Sequence, residues 1–119
     1  MTTPVADTVD ERREAVAAAL DIMGAKWTAL LIYDLAGGTR RFRELEHLSA
    51  GISSRTLAER LRALERDGIV RRRSYPESPP RVEYELTDKG RALLPIIDAM
   101  TDFGRSWLVP DEPLAPVAK

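Results

Sequence analysis

The sequence contains no cysteine. That excludes a disulfide frame, thiolate chemistry and any cysteine-based zinc site. Histidine occurs once, at His47, so no histidine pair is present to hold a metal. There is no phosphate-binding glycine loop and no nucleophile motif. No apolar run approaches the roughly 20 residues needed to cross a bilayer. The start, "MTTPVADTVDERRE", lacks the basic stretch and apolar run of a signal peptide. These absences lead us to expect no enzyme, cofactor, metal or membrane partner, and a cytoplasmic protein.

What is present is a 119-residue chain, long enough to bury one core without staples. Its 44% hydrophobic and 31% charged content is ordinary for a globular domain. The net charge of −1 hides an uneven distribution. Residues 40–81 hold eleven arginines against six acids, while the segments on either side are each net acidic. All the cations of this middle third are arginine, whose planar fork of donors matches phosphate oxygens and the guanine edge. Solvated helix faces with internal Arg–Glu pairs are the simpler explanation for such charge. The position of the arginines along the chain decides between the two.

Residues 1–8 and 108–119 read as mobile tails around a single domain over 9–107. A first helix is predicted over 9–23 and is interrupted at Gly24. A second runs from about Lys26 to Leu35, with Trp27, Leu30, Leu31 and Leu35 as its apolar stripe. "TRRF" is a short extended piece, and a helix over 43–49 follows with Leu45 and Leu48 inward. Gly51 makes a turn, Ser53 is the N-cap, and a helix runs from Ser54 to Arg66. Leu57, Leu61 and Leu64 share one of its faces, and Arg55, Glu59, Arg62 and Arg66 the other. "IVRRRSY" and "RVEYEL" then change the period to two, forming a β-hairpin around "PESPP". Thr87 or Asp88 caps a last long helix to about Trp107, in which Pro95 predicts either a kink or a late true start.

Two helices joined by a tight glycine-containing turn make a helix-turn-helix unit, and a hairpin directly after them makes the winged form. The fold expected is therefore mainly α with a small β-hairpin (α+β). In that geometry the second helix enters the major groove, its leucine face packs inward, and its N-terminal residues face base edges.

Several pieces in this order also resemble the HxlR-type family of bacterial winged-helix transcriptional regulators. They are Gly24 with Lys26-Trp27, Arg41-Phe42 with Glu44-Leu45, and Gly51-Ile52-Ser53. Leu64-Glu65 with Asp67-Gly68, and Pro79-Pro80 with Val82-Glu83-Tyr84, complete the set. The resemblance spans about residues 20–107. It implies a homodimer on double-stranded operator DNA, with dimer contacts from the first and last helices. Some members of the family sense oxidants through a cysteine near the start of the first helix. The matching position here is Glu14, so the input expected is not a thiol but a small noncovalent effector or another signal.

The residues expected at DNA are Lys26, Arg40, Arg41, Ser53, Ser54, Arg55, Thr56, Arg60 and Arg81. Ser53 reads as a helix cap and a phosphate contact together. Arg55 and Thr56 are read as base-edge contacts, and Arg81 as the residue beside the wing tip. Lys26, read as opening a helix, sits where a cation is disfavoured by the dipole, which points to a phosphate partner. Arg62 and Arg66 read as solvated or paired. Alternation along the first wing strand sends Arg72 to the face opposite Arg71 and Arg73, one of which pairs with Glu83 or Glu85. The dimer interface is assigned to Val9, Val16, Leu20, Ile97, Met100, Phe103 and Trp107, and Phe103 and Trp107 are alternatively the lining of an effector pocket. Trp27, Tyr33, Phe42, Tyr84, Phe103 and Trp107 read more readily as core than as site, and His47 as a surface residue. The competing function is a winged-helix module that binds a protein and no DNA.

Overall fold

The computed structural model describes residues 8–109. The rest of the two segments read as tails, 1–7 and 110–119, lies outside the described residues. Their inner ends are part of the folded domain. Thr8 caps helix α1 (Val9–Met23) through a reciprocal pair of bonds. Its hydroxyl accepts the Glu11 N–H at 3.0 Å, and the Glu11 carboxylate accepts the Thr8 N–H at 2.8 Å. At the other end, Leu108 closes a terminal π-helical turn (Gly104–Leu108).

Helix α2 (Thr28–Ala36) begins two residues later than the apolar stripe predicts. The reason is Trp27, whose backbone is left-handed at φ +80°. A side-chain-bearing residue there costs roughly 1–2 kcal/mol, opposed by packing of the indole against the core. The two-residue strand β1 (Arg40–Arg41) leads into α3 (Phe42–Leu48). Gly51, at φ +100°, turns the chain toward α4 (Ser54–Arg66), in a conformation that glycine adopts without steric cost.

Strands β2 (Val70–Tyr75) and β3 (Arg81–Leu86) form the antiparallel wing, with Val70 opposite Leu86 and Tyr75 opposite Arg81. The sheet has one strand more than the expected hairpin. β1 pairs with the free edge of β3, Arg40 opposite Tyr84 and Arg41 opposite Glu83, giving the order β1-β3-β2. Two residues are too few to carry a period, so only the extended piece was legible. The expected last long helix is two: α5 (Asp88–Arg91), capped by Thr87, and α6 (Leu94–Phe103). Pro95 lies in the first turn of α6, where its missing N–H costs nothing. Of the two outcomes predicted for Pro95, the late start is the one found.

The core joins Leu31, Ile32 and Leu35 of α2 to Leu45 of α3 and to Leu57, Leu61 and Leu64 of α4. Ile69, Val70, Leu86 and Ile97 close it from the wing and from α6. Each fully buried aliphatic side chain contributes about 1.5–3 kcal/mol. Trp27, Phe42 and Tyr84 pack against this cluster. Five apolar residues expected inside face solvent instead: Leu30, Tyr33, Leu48, Phe103 and Trp107. Leu30 and Tyr33 lie on the α2 face turned from the core, and Phe103 and Trp107 lie beyond its edge.

The wing is fastened to α5 by close backbone approach. Thr87 N–H donates to the Ile69 carbonyl at 3.0 Å, and the Thr87 hydroxyl accepts the Gly90 N–H at 3.0 Å. A Cβ on Gly90 would stand 2.2 Å from the Ile69 oxygen, which is backbone and cannot rotate away. Gly90→Ala should therefore lower unfolding stability by at least about 2 kcal/mol. Urea denaturation followed by circular dichroism measures this, and a change under about 0.5 kcal/mol would contradict the packing described.

Candidate nucleic-acid interface

Helix α4 is the centre of the site. Its three buried leucines fix one face to the core, so the opposite face must meet solvent. Its N-terminus is closed by Ser53, whose side chain accepts the Thr56 N–H at 3.0 Å. A cap of this kind is worth about 1 kcal/mol. The Ser53 hydroxyl also donates to Thr56 Oγ1 at 2.9 Å, so Ser53 and Thr56 are engaged with each other. The Ser54 hydroxyl donates to the Glu46 carboxylate of α3. Arg55 is different. Its side chain is 89% exposed, and its only ion pair among the described residues is a loose 3.5 Å contact with Glu59 one turn on. Such exposed pairs are weak, so Arg55 is the most available cation at the start of this helix.

Lys26 and Arg60 lie 34 residues apart and are brought together: the Arg60 Nε–H donates to the Lys26 carbonyl at 3.0 Å. Lys26 stands ahead of the Trp27 cap and outside α2, a correction to the reading that it opens a helix. Its ammonium lies 5.5 Å from the centre of the Trp27 ring, a contact that offsets its place near the helix start. Arg40 is turned inward, its Nε–H donating to the Asp34 carbonyl at 3.2 Å. The Asp34 carboxyl is itself pushed up from its ordinary value by burial, against the Ser49 hydroxyl and the Arg40 charge. Arg41 is exposed, and its backbone N–H is held by the Glu44 carboxylate at 2.7 Å.

On the wing, Arg71, Arg73 and Tyr75 share one face with Arg81, Glu83 and Glu85, and Arg72 lies on the other. Of the two acids expected as partners it is Glu85 that pairs, and it takes both arginines: Arg71 and Arg73 reach the same oxygen, at 2.8 and 2.7 Å. Arg81 does not project from the wing. Its Nη2 is 3.0 Å from Glu77, its Nε is 3.7 Å from Glu83, and its guanidinium stacks 4.1 Å from the centre of the Tyr75 ring. The sequence reading overlooked Glu46 and Glu77, acids that occupy Ser54 and Arg81. Neither sits at a helical spacing from its partner within one helix, so no periodicity flags it.

The residues assigned to a dimer seam divide. Val9, Val16 and Leu20 are exposed on α1, a helix that buries none of its own residues. Met100, Phe103 and Trp107 are exposed at the far end of the fold, Trp107 at 76%. Ile97 is the exception. At 6% exposure it belongs to the protomer's own core and forms the floor of an open apolar cleft of about 320 Å³. Ala29, Leu30, Tyr33, Met100 and Thr101 make the rest of that cleft.

A capped amphipathic helix with a free arginine at its start, flanked by a charged antiparallel wing, defines a winged helix-turn-helix protein. The HxlR-like helix-turn-helix profile matches residues 22–112. YvaP of Bacillus subtilis (strain 168), an HTH-type transcriptional regulator, is 44% identical over 92 residues, covering 77% of this chain and 85% of the relative. The oxidised form of the redox regulator HypR superposes with a TM-score of 0.77 at 42% identity, over 81% of this chain and 99% of that one. The reduced form of the transcriptional regulator YodB from B. subtilis does so at 0.69 and 33%, over 94% and 100%. The chain belongs to the HxlR-like helix-turn-helix family and is a transcriptional regulator with that fold.

The two arginines beside Glu85 hold its carboxyl below the ordinary glutamate value through their hydrogen bonds, Arg73 first. A lowered folded value means that the paired, ionised form is complete above the ordinary value and is lost as pH falls through the lowered one. An NMR titration should place the Glu85 midpoint below the ordinary glutamate value. Arg73→Gln should move it back up, and a wild-type midpoint at the ordinary value would contradict the arrangement.

Proposed function

We propose that this regulator is a homodimer that binds a pseudo-palindromic operator in duplex DNA, in the cytoplasm, without enzymatic activity. The observation that carries the reading is the division of α4: three leucines locked in the core and Arg55 extended into solvent beside the helix start. Arg55 and Thr56 read base edges in the major groove. Ser53 and Ser54 bring the helix N-terminus to a phosphate, since backbone N–H groups there favour anions. Lys26, Arg40, Arg41, Arg60 and Arg81 supply backbone contacts. Arg40 and Arg60 give theirs through the guanidinium nitrogens left over from the Asp34 and Lys26 carbonyls.

The second copy covers the apolar stripe of α1 and the exposed Met100, Phe103 and Trp107, which together exceed what a monomer leaves in water without use. A twofold pair sets its α4 helices about 34 Å apart, one turn of DNA. With no cysteine in the sequence, the input is not a thiol switch, and the apolar cleft beside Tyr33 and Met100 is where a small noncovalent effector fits. A winged-helix module binding only protein is the competing reading.

A gel-shift titration with promoter DNA from the protein's own locus separates the two. With about eight phosphates neutralised per dimer, the log–log salt slope should be roughly −7, whereas a flat response favours the protein-binding reading. Arg55→Ala should weaken operator binding by about 1–3 kcal/mol and relax sequence preference. Phe103→Asp should move the protein from dimer to monomer in analytical ultracentrifugation. A dimer of unchanged stability would remove α6 from the interface.

A further inference from the structure

The wing tip holds a charge arrangement that the DNA-binding reading does not use. We propose that Glu77 is an affinity-setting residue: an internal surrogate for a DNA phosphate, seated on Arg81 until duplex DNA displaces it. The inference rests on the DNA-binding reading above.

The geometry of Arg81 supports it. Its guanidinium lies against the Tyr75 ring, 4.1 Å from the ring centre, which holds the fork in one plane. Glu77 reaches Nη2 at 3.0 Å. The Nε–H, by contrast, is buried with no hydrogen-bond partner, and the nearest carboxylate beside it, Glu83, stands off at 3.7 Å. Arginine binds oxyanions best with two parallel N–H bonds. The buried Nε is out of reach of a ligand arriving from solvent, so the donor in contention is Nη2, which Glu77 occupies. A DNA phosphate would take that same donor.

The two acids are not equivalent. Glu83 is 20% exposed and fixed by the strand ladder, opposite both Arg73 and Arg41. Glu77 is 49% exposed and lies in the connection between the strands, outside any ladder. Glu77 is therefore the partner that can leave. Until it does, Glu77 screens the Arg81 charge and occupies one of its donors. When it leaves, that donor opens to the DNA. Because the contact is to backbone, the clasp weakens binding to all sequences alike.

Affinities of the full-length wild type, Glu77→Gln, Arg81→Ala and the double variant should be measured on a random-sequence duplex at fixed salt. Glutamine keeps the acceptor and the size while removing the charge. An exposed ion pair of about 0.2–1 kcal/mol in each of two wings predicts a gain of roughly 2- to 30-fold per dimer for Glu77→Gln. That gain should vanish when Arg81 is already alanine. Wild type that binds with no gain in Glu77→Gln overturns the inference and leaves the DNA-binding reading standing. So does a gain of equal size in the Arg81→Ala background, which marks plain charge removal near DNA. Failure of the wild type on every duplex overturns both.

Discussion

The burial of Leu57, Leu61 and Leu64 in the common core is the interaction on which the rest of the molecule depends. It fixes the rotation of α4 about its own axis, and with it the direction of every polar side chain on that helix. A helix turned by one residue, about 100°, would bury charge and expose leucine. The same three leucines share one buried cluster with Leu31, Ile32 and Leu35. The Ser53 cap, the Arg60 bond to the Lys26 carbonyl and the Arg55 orientation all follow from it.

Around that core some of the charged groups hold one another. Glu85 takes two arginines, Arg81 takes two acids, Glu46 holds Ser54 and Glu59 lies beside Arg55. Exposed Arg41, Arg43, Arg62, Arg66 and Arg72 form no ion pair among the described residues, so part of the basic middle third stays open to solvent. On the proposed reading, the weak exposed pairs at Arg55 and Arg81 give way to phosphate when DNA binds.

Much of the fold was legible because its signals are local. Helix α4 has a cap, a 3.6-residue apolar period and Asp67-Gly68 at its end, and it was read at its observed bounds. The strands of the wing announced themselves by alternation in "RVEYEL", and Arg72 was placed on the correct face. Strand β1 was not recognisable as a strand, because its pairing is made by residues more than forty positions away. Leu30, Leu48 and Tyr33 were misplaced for a related reason: an apolar period identifies a face and does not say whether that face meets this chain or another. The seat of Ile97 in the core, while Ile96, Met100 and Phe103 of the same helix are exposed, is a matter of packing that no period reports.

The sequence by itself determined the helices, the hairpin, the turn glycine at position 51 and the uneven charge, since caps, periodicity and backbone preference act over a few residues. Only the tertiary structure decided which arginines are occupied and which are free. Arg55 stands clear while Arg60 is spent on a carbonyl 34 residues away and Arg81 is folded onto Tyr75. The physical reason is that a guanidinium reaches far along a flexible stem, so its partner is chosen by what the folded chain brings within a few ångströms.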